Sequence, residues 1–302
     1  MRLPPLSDLH RHLDGSLREA TLRELAAGLG VEVPAQFRFW RGMGLAAALR
    51  CFDLSLAVLQ SPAAVRRVAD ECCADAAGEG VTTLELRFAP QLHRGASPAA
   101  IVDAAAEGAA GRAGLVLCGL FGEDPSVLEA LVEVARGCPA VVGIDLAGGP
   151  SPAHRHQLRD YARPYSLARD LGLGRTVHAG EGRPPAEIRE AVECLHAQRI
   201  GHGTTLPDDP AVLDLVRERG VTVEACLTSN LQTGAVDDLA AHPLPRLLDA
   251  GVRVTVCTDN TLFSDVDAPA EYRRAAALPR MRADAVEALA AFGHAAAFPR
   301  RR

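Results

Sequence analysis

The regular alternation of short apolar runs with longer helical segments is the feature that most restricts the fold of this 302-residue chain. Eight runs rich in Val, Leu, Ile and Thr have the length and composition of β-strands. They cover residues 6–10, 81–88, 114–121, 140–146, 174–178, 198–202, 220–227 and 252–258. Helical composition marks the segments 61–79, 97–112, 125–136, 155–171, 185–196, 209–219 and 244–250. Eight strands with helical crossovers predict a single α/β domain over residues 1–302, a (β/α)8 TIM barrel.

A doubly wound open sheet is the alternative architecture for the same alternation. No G-x-G-x-x-G segment follows any candidate strand, so the barrel is the better prediction. Residues 17–60 form a longer α-helical insertion after the first strand and contain the only tryptophan, Trp40. We expect this insertion to be either a lid over the barrel mouth or ordinary helical packing.

Charge and composition exclude several classes of partner. The formal net charge of −6 offers no basic surface for nucleic acid or for an anionic membrane. The chain shows no apolar signal segment, no membrane-spanning run and no C-x-x-C pair among its eight cysteines. We therefore expect a cytoplasmic protein with free thiols, and a solvated basic tail at residues 300–302.

Polar side chains follow four of the apolar runs, at the end of the barrel where catalytic groups gather. His10 and His12 share one face of the first strand, because side chains alternate along a strand. The full set is His10, His12, His178, Glu181, His202, Asp259 and Asn260. The remaining histidines are expected on the surface (His154, His156, His196 and His294) or in structural positions (His93 and His242).

This set suits metal-assisted hydrolysis. The candidate ligands of one Zn²⁺ are His10, His12, His178 and Asp259. Zinc would lower the pKa of a bound water toward neutrality and so provide a nucleophile. Glu181 could act as an acid or a base, and His202 could hold or deprotonate the water. The chain contains no G-x-S-x-G segment, so a serine nucleophile has little support.

Seven motifs in the same order resemble the adenosine deaminase family of the amidohydrolase superfamily. They are H-x-H-L-D-G-S at 10–16, L-E-L-R-F-A-P at 84–90, G-I-D-L-A-G at 143–148, H-A-G-E at 178–181, R-I-G-H-G at 199–203, T-S-N at 228–230 and T-D-N at 258–260. The resemblance runs from about residue 6 to residue 295, and the T-D-N segment is similar to that of a bacterial branch.

The resemblance implies zinc-dependent deamination of adenosine, and of 2′-deoxyadenosine, to inosine and ammonia. Glu181 would deliver a proton to N1 of the purine, while His202 and Asp259 would orient the attacking hydroxide. The implied substrate contacts are His12, Asp14, which would bind the ribose 5′-hydroxyl, Gly148, whose N–H would bind N3, and Asn260 at N7. The competing interpretation of Asp14 is a helix N-cap.

Asn260 departs from the family pattern, which has a second aspartate followed by proline. An amide can still donate a hydrogen bond to N7, so the departure leaves the exact substrate open. Adenine, N6-methyl-AMP and aminodeoxyfutalosine are the alternative 6-aminopurine substrates. A binuclear hydrolase is disfavoured, because the chain has no lysine to carry a bridging carbamate. A non-catalytic nucleoside-binding protein is the alternative from another class, and the oligomeric state is left open.

Overall fold

The computed structural model describes residues 2–301, in which eight parallel strands follow one another around a barrel. The strands are β1 Leu6–His12, β2 Val81–Phe88, β3 Gly114–Leu120, β4 Val141–Ala147, β5 Gly174–Ala179, β6 Arg199–His202, β7 Thr222–Ala225 and β8 Arg253–Val256. Asp259, just beyond β8, closes the ring: its N–H donates to the carbonyl of His10 at 2.8 Å, and its carbonyl accepts from His12 at 2.7 Å. The predicted (β/α)8 barrel is confirmed.

Helices surround the barrel and fill most of the connections. They are α1 Glu19–Leu29, α2 Leu45–Val58, α3 Pro62–Gly78, α4 Pro98–Ala109, α5 Pro125–Gly137, α6 Ala162–Asp170, α7 Ala186–Cys194, α8 Pro210–Glu218, α9 Leu227–Gln232, α10 Leu244–Asp249, α11 Thr261–Ser264, α12 Ala268–Ala276 and α13 Ala285–Ala296. Four of them, α3, α4, α5 and α8, begin with a capping Ser or Asp followed by Pro, which satisfies free N–H groups and presets the first helical φ. Between residues 2 and 301, none of the helices has the length and apolar character needed to cross a bilayer.

The sequence misplaced some element boundaries. The predicted strand at 220–227 is only four residues long, because Leu227 already begins the short helix α9. Continuous apolar character does not distinguish a buried strand from the buried first turn of a helix. The structure also begins α6 at Ala162, seven residues after the predicted start at residue 155.

The C-terminal segment closes the bottom of the barrel. The ring of Phe298 lies over the guanidinium of Arg199, with 3.6 Å between Cζ and the ring centroid. Gly174 makes room for this ring, since a Cβ there would lie 2.1 Å from it. Arg300 and Arg301 donate to backbone carbonyls of neighbouring segments. Arg300 is nevertheless exposed, as predicted for a solvated tail, whereas Arg301 is half-buried, and Arg302 lies outside the described residues.

Candidate active site and metal centre

The four predicted metal ligands converge at the carboxyl end of the barrel. The Nε2 atoms of His12 and His178 are 3.3 Å apart. Oδ1 of Asp259 lies 3.4 Å from Nε2 of His10 and 3.4 Å from Nε2 of His12. A tetrahedron with metal–ligand bonds of about 2.0–2.1 Å has edges of about 3.3–3.4 Å, so this spacing suits zinc.

The far sides of two ligand rings are held by buried carboxylates. Nδ1 of His10 lies 2.8 Å from Glu224, and Nδ1 of His178 lies 3.0 Å from Asp145. An Nδ1–H bonded to a carboxylate leaves the Nε2 lone pair free to face the centre, an arrangement common at metal sites. Nε2 of His10 is buried and has no hydrogen-bond partner within residues 2–301. This orphaned acceptor and the nitrogen and oxygen donors around it fit a bound metal ion.

A buried arginine holds the two carboxylates in turn. Arg87, on β2, places Nη1 2.8 Å from Asp145 and Nη2 2.8 Å from Glu224. Arg199, on β6, forms a second ion pair with Glu224 at 2.7 Å. The side chains of Arg87, Asp145 and Glu224 have no solvent exposure. These roles were not predicted from the sequence, although charged residues inside apolar strands are a signal that could have indicated them.

Glu224→Gln should weaken zinc binding by about 10–100-fold, because the neutral amide holds His10 less firmly and leaves Arg87 and Arg199 less well neutralised. Titration of the metal-free protein against a zinc chelator measures the effect. Glu218→Gln, on the outer helix α8, is the matched control. Equal zinc affinities for Glu224→Gln and the control would refute this role of Glu224.

Glu181 lies beside the metal ligands on the turn after β5. Its Oε1 accepts a hydrogen bond from Thr233 at 3.0 Å, and its Oε2 lies 3.8 Å from Nε2 of His202. The turn requires glycine at position 180, because φ there is +67° and a Cβ would lie 2.5 Å from the side chain of Ile188. Burial, aided by the charge of Asp259, raises the pKa of Glu181 to about 7. A carboxyl group with this pKa can carry a proton near neutral pH.

Two of the predicted catalytic residues have unusual backbones. His202 and Asp259 have φ values of +67° and +62°, in the left-handed region that side chains other than glycine rarely adopt. Gly201 allows the ring of His10 to pack against the backbone of β6, since a Cβ at this position would lie 2.9 Å from Cε1 of His10. Burial alone would raise the pKa of Asp259, but its interactions with the rings of His10, His12 and His202 hold that pKa well below its usual range. Asp259 is therefore an anion suited to a cationic ligand.

Asp14 and Gly148 line a cavity of about 350 Å³ next to the metal centre. Helix α1 begins at Glu19 with Arg18 as its N-cap, so the interpretation of Asp14 as a helix cap is wrong. Oδ1 of Asp14 is buried and has no hydrogen-bond partner among the described residues. Burial raises the pKa of Asp14 to about 7. This free oxygen is available to a hydroxyl group of a ligand.

Asn260 lines a second, smaller cavity in front of the metal ligands. Its side chain lies over Gly15, where a Cβ would be 2.0 Å from Oδ1. Oδ1 of Asn260 is buried and free of hydrogen bonds to the described residues. Gly15, in the H-x-H-L-D-G-S motif, therefore leaves space for the side-chain amide of Asn260, in the T-D-N motif.

The helical insertion covers the two cavities. Leu49 and Phe52, on α2, line both of them, and Phe39 lines the smaller one. Phe39 stacks on Phe263 at 5.5 Å between ring centroids. Residues of the 17–60 insertion thus form the roof of the site, and their opening as a lid stays a prediction.

Comparison with known proteins agrees with this geometry. Residues 5–300 match the family model described as adenosine deaminase. A probable adenosine deaminase of Dictyostelium discoideum is 32% identical over 91% of this chain, which spans 38% of that longer protein. An adenosine deaminase of Vibrio cholerae is 35% identical, over 90% of this chain and 86% of its own length. The crystal structure of an adenine deaminase from Arthrobacter aurescens is 26% identical, with a TM-score of 0.89 over 98% of this chain and 94% of that chain.

The barrel, with its histidines and aspartate at the carboxyl end, has the amidohydrolase fold of hydrolytic deaminases. Within that class, the match over residues 5–300 is specific. The chain belongs to the adenosine deaminase family.

Proposed function

We propose that this protein deaminates adenosine and 2′-deoxyadenosine by hydrolysis, giving inosine and ammonia, with one zinc ion per chain. The observation that carries the proposal is the position of Glu181. Its carboxyl group, with a pKa near 7, lies in the same small cavity as His12, His178 and Asp259. A proton donor beside a metal centre is what hydrolysis of a 6-aminopurine requires.

Zinc bound by the three histidines and Asp259 would lower the pKa of a coordinated water and so supply the nucleophile. Glu181 would donate its proton to N1 of the purine, which makes C6 electrophilic. His202 and Asp259 would orient the attacking oxygen toward C6. One water is consumed for each ammonia released.

The larger cavity would hold the ribose. Asp14 would bond the 5′-hydroxyl through its free Oδ1, Gly148 would offer its N–H to N3, and the amide of Asn260 would meet N7. Adenine would leave Asp14 without a partner, and an unsatisfied buried polar group costs about 1–3 kcal/mol. A nucleotide would place its 5′-phosphate against the carboxyl group of Asp14, and two negative charges there would repel each other. These points favour a nucleoside over a free base or a nucleotide.

We also propose that the protein acts in the cytoplasm. All eight cysteines are free thiols, and most of them are buried. Free thiols are typical of a reducing compartment.

Adenosine and 2′-deoxyadenosine should have the highest kcat/KM in a panel with adenine, AMP, N6-methyl-AMP and aminodeoxyfutalosine. The fall in ultraviolet absorbance on deamination measures turnover, and ammonia release confirms the reaction. Turnover of aminodeoxyfutalosine without turnover of adenosine would contradict the proposed substrate and indicate aminodeoxyfutalosine in its place.

Glu181→Gln should lower kcat by about 10²–10⁴-fold, because the amide has no acidic proton for N1. The zinc content should stay unchanged, since Glu181 is not a proposed ligand. Glu190→Gln, on the outer helix α7, is the control and should keep full activity. Loss of zinc together with activity would make Glu181 a ligand and contradict its role as the acid.

A further inference from the structure

A chain of hydrogen bonds reaches His202 from outside the metal centre. The N–H of Leu244, at the start of α10, lies 3.2 Å from Nδ1 of His242. Nε2 of His242 lies 3.3 Å from Oδ1 of Asn230, on α9. Nδ2 of Asn230 lies 2.9 Å from Nδ1 of His202. All three side chains are buried, so solvent does not compete for these hydrogen bonds.

The backbone N–H of Leu244 fixes which group donates and which accepts in each hydrogen bond of this series. A backbone N–H can only donate, so Nδ1 of His242 must accept and carries no proton. The single proton of the neutral ring is then on Nε2, which donates to Oδ1 of Asn230. The NH₂ group of Asn230 consequently faces His202 and donates to its Nδ1.

The reverse orientation of the Asn230 amide is excluded by the same reasoning. It would point NH₂ at Nε2 of His242, and both nitrogens of that ring would have to accept. A neutral imidazole has one N–H and one acceptor, so it cannot do this. Burial lowers the pKa of His242 to about 4, so the ring is neutral near pH 7.

We propose that Leu244, His242 and Asn230 lock His202 in the tautomer with its proton on Nε2. His202 then serves the reaction as a hydrogen-bond donor, not as a general base or a metal ligand. Asn230 and His242 are positioning residues that act through His202. The catalytic part of this inference rests on the proposed function.

This tautomer resolves a question that distance alone leaves open. A ring nitrogen of His202 lies within 4.8 Å of donor atoms of His10 and Asp259, close enough for a further ligand. Nδ1 is engaged by Asn230, and Nε2 is the atom near Glu181. With a proton on Nε2, the ring has no lone pair to offer a metal there. The N–H can instead stabilise negative charge on the attacking oxygen in the transition state.

Nitrogen NMR of the zinc-loaded protein labelled with ¹⁵N-histidine tests the proposal directly. The signals of His202, assigned from their loss in His202→Phe, should show a protonated Nε2 and an unprotonated Nδ1. Asn230→Asp replaces the donor with an acceptor of the same size, and should therefore move the proton of the neutral ring from Nε2 to Nδ1. In this variant kcat for adenosine should fall by about 10²-fold. KM and the zinc content should stay close to the wild-type values, because the lost interaction is made in the transition state.

His294→Gln is the control for loss of a hydrogen-bonded histidine. His294 lies on α13, away from the proposed metal centre, and its ring bonds Thr83 and the carbonyl of Pro5. This variant should keep the wild-type kcat and the wild-type signals of His202.

A proton on Nδ1 of neutral His202 in the wild-type protein would overturn the proposal. An unchanged kcat in Asn230→Asp, although the proton has moved from Nε2 to Nδ1, would overturn its catalytic part. The spectra need no substrate, so they decide the tautomer even if adenosine is not turned over. Lack of turnover by the wild-type protein would count against the proposed function alone.

Discussion

The proposed metal centre depends on the ion pairs of Arg87 with Asp145 and Glu224. Each carboxylate bonds one of the proposed ligand histidines, Asp145 holding His178 and Glu224 holding His10. Removing charges from water costs several kcal/mol for each ion, so such a network is a poor source of stability. Its effect here is to fix the orientation of two imidazoles before a metal arrives, which lowers the reorganisation that binding requires.

Backbone strain adds a second constraint at the strand ends. His202 and Asp259 both adopt a left-handed conformation where β6 and β8 give way to loops. Strain of this kind costs about 1–3 kcal/mol for each residue and persists only where the surroundings enforce it. For His202 the surroundings include Asn230, and for Asp259 they include the backbone bonds to β1 that close the barrel. The same contacts therefore complete the fold and orient the two proposed catalytic side chains.

The barrel and the clustering of the four proposed metal ligands at its carboxyl end could be predicted because the relevant signals are local. Apolar runs of strand length recur eight times, and alternation along β1 places His10 and His12 on one face. The groups behind the ligands could not be predicted in this way. Glu224 gains its role only from a partner that is far away in sequence, His10. The packing of Phe298 against Arg199 is hidden for the same reason.

The central claim is that one metal ion in this cluster of three histidines and Asp259 supports the reaction. Stepwise addition of zinc to the metal-free protein, with adenosine turnover as the readout, tests it most directly. Turnover should be absent without metal, rise with each addition and stop rising at about one zinc per chain. Turnover by the metal-free protein, or a plateau only at two zinc ions per chain, would contradict the account.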